Sequence, residues 1–339
     1  MKRLVLDAPD SLHWDDIDEP VLDAPDQALV RPVAVATCDI DPAVIQGRFP
    51  LQGPYAFGHE GVAEVIAVGD EVTTVRPGDK VVVPFQISCG VCDSCLRGRT
   101  GNCTTVPFMS SYGLGPMGGL NWGGFWSDLV RVPHADAMLV PLPAGVDPVS
   151  VASASDNISD AHRTVAPHLA DRPGAEVLVL GGPAAPSIGL YAAGLALALG
   201  AARVVYLDTD PERLAIAARL GAEPIEGKPT ERVGRFPITV EAAGGAKALV
   251  AAIRATANDG TCTSVSVQTQ DVALPMLEMY SRCCTFHTGR AHVRPTIPQV
   301  LDLVATGRFD PSLVTTRTVA WEDSIDALLE GPVKLVATR

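Results

Sequence analysis

The sequence lacks an apolar run of the roughly eighteen residues that a transmembrane helix requires, so no membrane span is expected. It also lacks basic charge. Lys and Arg number 26 against 39 Asp and Glu, for a net charge of −13 at pH 7. Such a chain repels a phosphate backbone, because non-specific nucleic-acid binding is driven by Lys and Arg, and nucleic acid is excluded as an expected partner. The opening MKRLVLDAPDSLHWDD turns acidic after a short apolar stretch, without the pattern of a leader, which points to a soluble cytoplasmic protein. No internal repeat and no low-complexity linker interrupts the chain. With 47% apolar and 19% charged residues, 31 glycines and 28 prolines, the composition is that of a globular protein with many tight turns rather than a disordered one.

A length of 339 residues exceeds what one hydrophobic core usually holds, and two domains are expected. From residue 1 to 150, short alternating apolar runs cut by Gly and Pro read as an antiparallel β domain. From 151 to 286, apolar strands at Val177–Leu180, Val204–Leu207, Ile238–Val240 and Cys262–Val267 alternate with Ala- and Leu-rich helical stretches. That alternation predicts βαβ units and a doubly wound parallel sheet, an α/β fold. One helix is predicted from about Ser187 to Leu199; the next has Asp210 as N-cap, Pro211 as its first residue and Gly221 beyond its end. Residues 287–339 read as two amphipathic helices with a short strand between them and a closing strand in VKLVATR.

Four of the eight cysteines lie close together, as Cys89, Cys92, Cys95 and Cys103. Their spacing, C-x2-C-x2-C-x7-C, lets four thiolates close a tetrahedral zinc shell with no open position, which makes such a site structural. An iron–sulfur site and a loop of free thiols compete with that reading. Gly90, Gly98 and Gly101 supply turns between the cysteines.

The stretch GHEGVAEVIAVGDEVTTVRPGDKVVVPF followed by this cluster resembles the zinc-containing alcohol dehydrogenase family of the medium-chain dehydrogenase/reductase superfamily, and the likeness runs over nearly the whole chain. The resemblance implies a GroES-like antiparallel β catalytic domain over 1–150 with a structural zinc lobe at 89–103 near a subunit contact. It further implies a Rossmann dinucleotide-binding domain over 151–286 and a segment, 287–339, that returns to the catalytic domain. Two zinc ions per chain, NAD and a homo-oligomer, tetramer or dimer, come with it.

The resemblance also implies a catalytic zinc with ligands from separate segments. In CDID, Cys38 is the thiolate ligand and Asp41 a carboxylate orienting the histidine; in FGHEG, His59 ligates and Glu60 lies beside the metal as an alternate ligand; in SASDNISDAH, Asp156 matches the aspartate form of the third ligand. Read singly, Cys38 is a buried thiol, His59 a loop histidine and Asp156 a helix cap. His13, His134, His162, His168, His287 and His292 are read as structural or surface residues, and Cys283 and Cys284 as part of a core strand.

The strand Val177–Leu180, then Gly181 and Gly182, then a helix at Ser187 is where a dinucleotide phosphate loop belongs, although G-x-G-x-x-G fails in either register. Pro183 and Pro186 donate no hydrogen bond, while Pro186 suits a first helical turn and leaves Ser187, Ile188 and Gly189 to face an anion. The competing reading is a structural turn. Asp208 follows Gly189 at close to the spacing of an acid that binds the adenosine ribose, and its charge favours NAD over NADP. By resemblance Arg213 lies along that ribose and Lys334 faces the pyrophosphate.

The implied reaction is hydride transfer between NAD(H) and an alcohol, aldehyde or ketone, with zinc as Lewis acid. Relatives normally carry Ser or Thr two residues after the first ligand to relay a proton, and a histidine three residues on. Here those positions are Ile40 and Ala43, and Asp39 stands where some relatives place an arginine. By resemblance, Ile40, Phe57 and Phe85 are expected to wall the pocket. These departures motivate an alternative, a zinc protein of the same fold with lost or redirected, non-redox chemistry.

Overall fold

The computed structural model describes residues 1–119 and 121–339. By contacts the chain divides into two units: Met1–Ser159 with Ala291–Ala305 and Thr315–Arg339, and Asp160–Arg290 with Thr306–Val314.

The first unit is built on a seven-stranded sheet in the order Arg317–Ala320, Leu335–Thr338, Ala28–Ala36, Glu60–Val68, Lys80–Val82, Val140–Pro141, with Val130–Val132 also pairing with Ala28–Ala36. All pairings are antiparallel except Arg317–Ala320 with Leu335–Thr338. Alternate residues of Ala28–Ala36 point inward, as period-two patterning requires, and Val30 lies opposite Val65. The core beneath gathers Leu4, Phe57, Tyr112, Phe125, Trp126 and Met138, all fully enclosed or nearly so. Trp126 stacks on Phe57 with centroids 5.8 Å apart, and Tyr112 meets Phe125 edge-on at 5.2 Å. The strand Leu335–Thr338 sets Val336 against Ala36, so the chain's last residues bind to its early ones.

The second unit is a six-stranded sheet in the order Glu223–Glu226, Val204–Asp208, Val177–Leu180, Phe236–Glu241, Thr256–Ser264, Thr285–His287, parallel throughout. Val177–Leu180 and Val204–Asp208 are buried at every residue, the mark of strands covered on both faces. The helix Pro186–Ala198 is buried continuously from Ser187 to Ala196, which explains its lack of a polar face. Asp210 caps the helix Pro211–Arg219 by accepting the Arg213 N–H at 3.0 Å, and Gly221 follows its end at φ +93°. Because Val177–Leu180 lies between Val204–Asp208 and Phe236–Glu241, the strand order reverses at its C-terminal end, the place where open parallel sheets bind ligands.

Two expectations need correction. The strand predicted at Cys262–Val267 runs earlier, over Thr256–Ser264. Cys283 and Cys284 do not lie in a core strand: Cys283 is exposed, in the left-handed conformation (φ +53°) that ends the helix Met276–Arg282, and the strand begins only at Thr285.

Candidate active site

In the zinc lobe, a turn at Asp93–Leu96 and another at Thr100–Asn102 fold the four cysteines back on one another, and their sulfurs lie within 4.8 Å. Zn–S bonds of about 2.3 Å give a tetrahedron with an edge of about 3.8 Å. The Cys92 and Cys103 sulfurs are 3.9 Å apart, so the cage has zinc's dimensions. Hydrogen bonds favour the thiolate at two of the four: the Cys89 sulfur accepts the Cys92 N–H at 3.4 Å and the Thr105 hydroxyl at 3.0 Å. Hydrogen bonds from the Thr104 and Cys95 backbone hold Cys92 at about 5, while burial pushes Cys95 up to about 12. A dication satisfies all four at once.

The second donor set is drawn from three places in the first unit. Cys38 follows the strand Ala28–Ala36, His59 and Glu60 sit where Glu60–Val68 begins, and Asp156 ends the turn Ala152–Ser155. Donor atoms of Cys38, His59, Glu60 and Asp156 lie within 4.8 Å of one another, and all four residues are buried. His59 Nε2 is 3.3 Å from Asp156 Oδ2, and the Cys38 sulfur is 3.2 Å from the same oxygen. The other ring nitrogen, Nδ1, faces Asp41 Oδ1 at 3.9 Å, an ion-pair rather than a hydrogen-bond distance. Asp41 is itself fixed by accepting the Cys38 N–H at 2.8 Å, so the short CDID turn aims both the thiol and the carboxylate that orients the imidazole.

Burial and the charges of Asp156 and Glu60 push the Cys38 thiol well above its ordinary value. Burial opposes a charge on His59, yet the hydrogen bond with Asp156 and the charge of Asp41 lift it to about 9. Acids and a thiol packed together away from water call for a cation, and the thiol, imidazole and carboxylate suit zinc.

Four residues complete the surroundings. Lys334, wholly buried, places its ammonium 3.1 Å from Glu60 Oε2 and donates to the Thr37 carbonyl, rather than standing open to a pyrophosphate as expected. Asn157, which sequence reasoning missed, is also wholly buried with its amide oxygen 3.2 Å from the Cys38 sulfur; as a polar residue opening a helix it carries no sequence signal beyond capping. Ile40 packs on the β core and Phe85 lies against the His59 ring at 5.5 Å, both suited to wall the site. Phe57 is not a wall: its ring is enclosed against Trp126 and exposes no surface.

In the second unit, Gly181 donates its N–H to Leu207 at 2.9 Å and Ala185 to Ala242 at 3.0 Å, stitching the loop to the strands on either side. A Cβ on Gly182 would lie 2.7 Å from the Ala243 backbone, and one on Gly181 2.3 Å from the Tyr206 hydroxyl. Gly189 is inside the helix, its N–H donated to Ala185, and does not face an anion. Ser187 and Ile188 stand in the first turn. Asp208 is buried and gripped by Arg213 at 2.8 Å.

Residues 24–144 match the alcohol dehydrogenase GroES-like domain and 187–306 the zinc-binding dehydrogenase domain. A probable zinc-binding alcohol dehydrogenase of Mycobacterium tuberculosis is 30% identical over 96% of this chain and 83% of its own. Among solved structures, an alcohol dehydrogenase of Thermus sp. ATN1 superposes with a TM-score of 0.90 at 30% identity, covering 100% of this chain and 99% of its own. An NAD-dependent alcohol dehydrogenase superposes at 0.82 with 26% identity over 100% of both chains. With two thiolate-bearing donor sets of zinc dimensions on this fold, the chain belongs to the zinc-containing alcohol dehydrogenases of the medium-chain dehydrogenase/reductase superfamily, a family of zinc-dependent oxidoreductases.

Proposed function

We propose that the chain is an NAD-linked dehydrogenase acting on a primary or secondary alcohol, or the matching aldehyde or ketone, with an apolar substituent. The donor set of Cys38, His59 and Asp156 carries this reading: one thiolate, one carboxylate and a neutral imidazole match the charge of a single zinc ion. Held there, zinc supplies Lewis acidity to the substrate oxygen, and a nicotinamide dinucleotide supplies or takes the hydride.

The chain's own residues do the rest. Asp41 keeps His59 Nε2 turned toward the donors. Lys334 holds Glu60 beside them, where it serves as an alternate ligand. Phe85 and Ile40 exclude water and favour an apolar substrate over a polyol. A branched aliphatic group cannot pass a proton, so the relay that Ile40 lacks falls to Asp39 or to ordered water.

For the cofactor, Gly181, Gly182, Ser187 and Ile188 border the anion position, and Asp208 with Arg213 borders the adenosine ribose. The acids at 208, 210 and 212 outnumber Arg213, which favours NAD. The NAD-dependent alcohol dehydrogenase of the same fold supports this. A cytoplasmic homo-oligomer completes the proposal.

The test is calorimetric titration of the zinc-loaded chain with NAD⁺ and NADP⁺, followed by NAD(H)-linked turnover on a panel of alcohols, aldehydes and ketones. Saturable binding and turnover of apolar alcohols are expected. Binding of neither nucleotide, or turnover of polyols alone, would refute the reading.

A further inference from the structure

Two side chains meet the Cys38 sulfur at equal distance: Asp156 Oδ2 and Asn157 Oδ1 each lie 3.2 Å away. A shared metal accounts for the first contact. Ligand bonds of about 2.3 Å for sulfur and about 2.1 Å for oxygen set the two atoms about 3.6 Å apart on a tetrahedron. It does not account for the second. A neutral amide adds nothing to the charge match between a dication and one thiolate, one carboxylate and one imidazole, and as a further ligand it would fill the position that a catalytic zinc keeps open.

The local fold holds Asn157 in this place. It is wholly buried and opens the helix Asn157–Asp171, one residue beyond the turn Ala152–Ser155. The Ser155 hydroxyl accepts the Gly61 N–H at 2.9 Å and donates to the Ala152 carbonyl at 3.0 Å, which ties the turn to the strand Glu60–Val68. The Ser155 carbonyl accepts the Phe85 N–H at 3.3 Å, and the Ser159 hydroxyl donates to the Ala154 carbonyl at 2.6 Å. The amide cannot leave the sulfur without disturbing these bonds.

Against a thiol the contact is S–H to the amide oxygen. Bound to a metal, Cys38 is a thiolate with no proton to give, and an acceptor oxygen at that distance would repel it. A half-turn of the planar amide exchanges its oxygen for its NH2 group, and the contact becomes N–H to sulfur, a charge-assisted bond. Such a bond draws electron density from the sulfur, as hydrogen bonds to cysteine sulfurs do at iron–sulfur and blue-copper centres.

We infer that Asn157 is a positioning residue for Cys38: its side-chain amide donates to the metal-bound thiolate, fixes the sulfur and lowers its electron donation, which strengthens the Lewis acidity offered to the substrate oxygen. This rests on the reading of Cys38, His59 and Asp156 as zinc ligands given above.

The experiment replaces zinc with cobalt(II) in the full chain, where thiolate ligands give sulfur-to-metal charge-transfer absorption in the near ultraviolet. The part of that absorption missing from Cys38→Ala belongs to Cys38. Asn157→Leu keeps the volume and removes the donor, and the Cys38 band is expected to move to longer wavelength. The cobalt dissociation constant, read from loss of that band to a competing chelator, is expected to rise at least about tenfold. Asn157→Gln keeps the amide on a longer arm; it gives a smaller shift in the same direction and serves in place of Asn157→Leu should that variant not fold. Absorption from the four-cysteine lobe stays unmoved in both. A Cys38 band unshifted in both variants overturns the inference while leaving the metal site intact. So does a shift to shorter wavelength in Asn157→Leu, the sign that an amide-oxygen ligand has been lost. A cobalt spectrum identical with and without Cys38 defeats the zinc reading and the inference together.

Discussion

Replacing Lys334 with methionine removes the buried ammonium that the site places against Glu60. Both side chains are 0% exposed, with Nζ 3.1 Å from Oε2. Breaking a buried pair by deleting one partner costs about 3–5 kcal/mol, because the remaining charge is left uncompensated. The lower end is expected here, since a zinc ion on the neighbouring donors relieves part of the deficit. Burial already pushes the Glu60 carboxyl up against the pull of Lys334, and without Lys334 it rises further.

The sign then follows from linkage. A carboxyl whose folded value exceeds its unfolded value, about 4.3, binds protons more tightly when folded, so stability is lost as pH rises between the two. Wild-type Glu60 already stands at about 8, so the deficit of Lys334→Met should be small up to about pH 7 and grow only above pH 8, where Glu60 ionises beside Lys334 but stays protonated without it, toward about 3 kcal/mol at the alkaline limit. Trp14, Trp122, Trp126 and Trp321 all belong to the first unit, so tryptophan fluorescence during denaturant unfolding reports on the part that holds this pair. The double variant Lys334→Met/Glu60→Gln should recover most of the loss at the higher pH. A single variant within about 1 kcal/mol of wild type, or a double variant no better than the single, would refute the reasoning.

Three further outcomes are expected. Protein purified without chelator should carry about two zinc ions per chain by elemental analysis, and Cys103→Ala about one, because three thiolates no longer close the lobe. Gly58→Ala should destabilise the first unit by at least about 2 kcal/mol in the same fluorescence assay; φ is +89° there and a Cβ would sit 2.3 Å from Trp126. Ile40→Thr, which restores a hydroxyl, should raise oxidation rates on small alcohols and lower the optimum in the pH–rate profile. An unchanged profile would show that the proton leaves by a route independent of residue 40.

Much of this was readable from the sequence because its signals are local. Gly and Pro punctuate the first unit's strands, Asp210 and Gly221 bracket a helix, and Cys89 to Cys103 lie close enough in sequence for spacing to constrain geometry. The donors Cys38, His59 and Asp156 could be gathered only through the family pattern, and the structure brings them within 4.8 Å. The Lys334–Glu60 pair spans 274 residues and depends on Leu335–Thr338 docking beside Ala28–Ala36, which no local pattern announces. Cys283 and Cys284 misled because a small apolar pair beside Thr285–His287 looks like strand, whereas the preceding helix needs a left-handed residue to end it and uses Cys283. Tyr206 reads as one more apolar residue in a buried strand, and only its hydroxyl's position reveals its grip on Asp208.

The failed glycine pattern of the phosphate loop has a physical explanation that can be tested. Glycines persist where a Cβ would collide: Gly181 with Tyr206, and Gly182 with the Ala243 backbone at 2.7 Å. At 184, where one register of the fingerprint asks for glycine, the chain has alanine, and facing it is Gly244, whose own Cβ would fall 2.5 Å from that of Ala184. The close approach is made all the same, and the glycine that permits it stands at the opposite strand end. Gly244 also donates its N–H to the buried Glu241 at 2.6 Å, which pins it in place. Gly244→Ala should therefore destabilise the second unit twice over, by about 1–2 kcal/mol for an alanine at φ +84° and by a further 1–3 kcal/mol or so for the overlap. Ala184→Gly/Gly244→Ala should recover the second contribution but not the first. Calorimetric unfolding of the two variants separates the terms, and a double variant no more stable than Gly244→Ala alone would mean that the contact with Ala184 does not explain why this position is glycine.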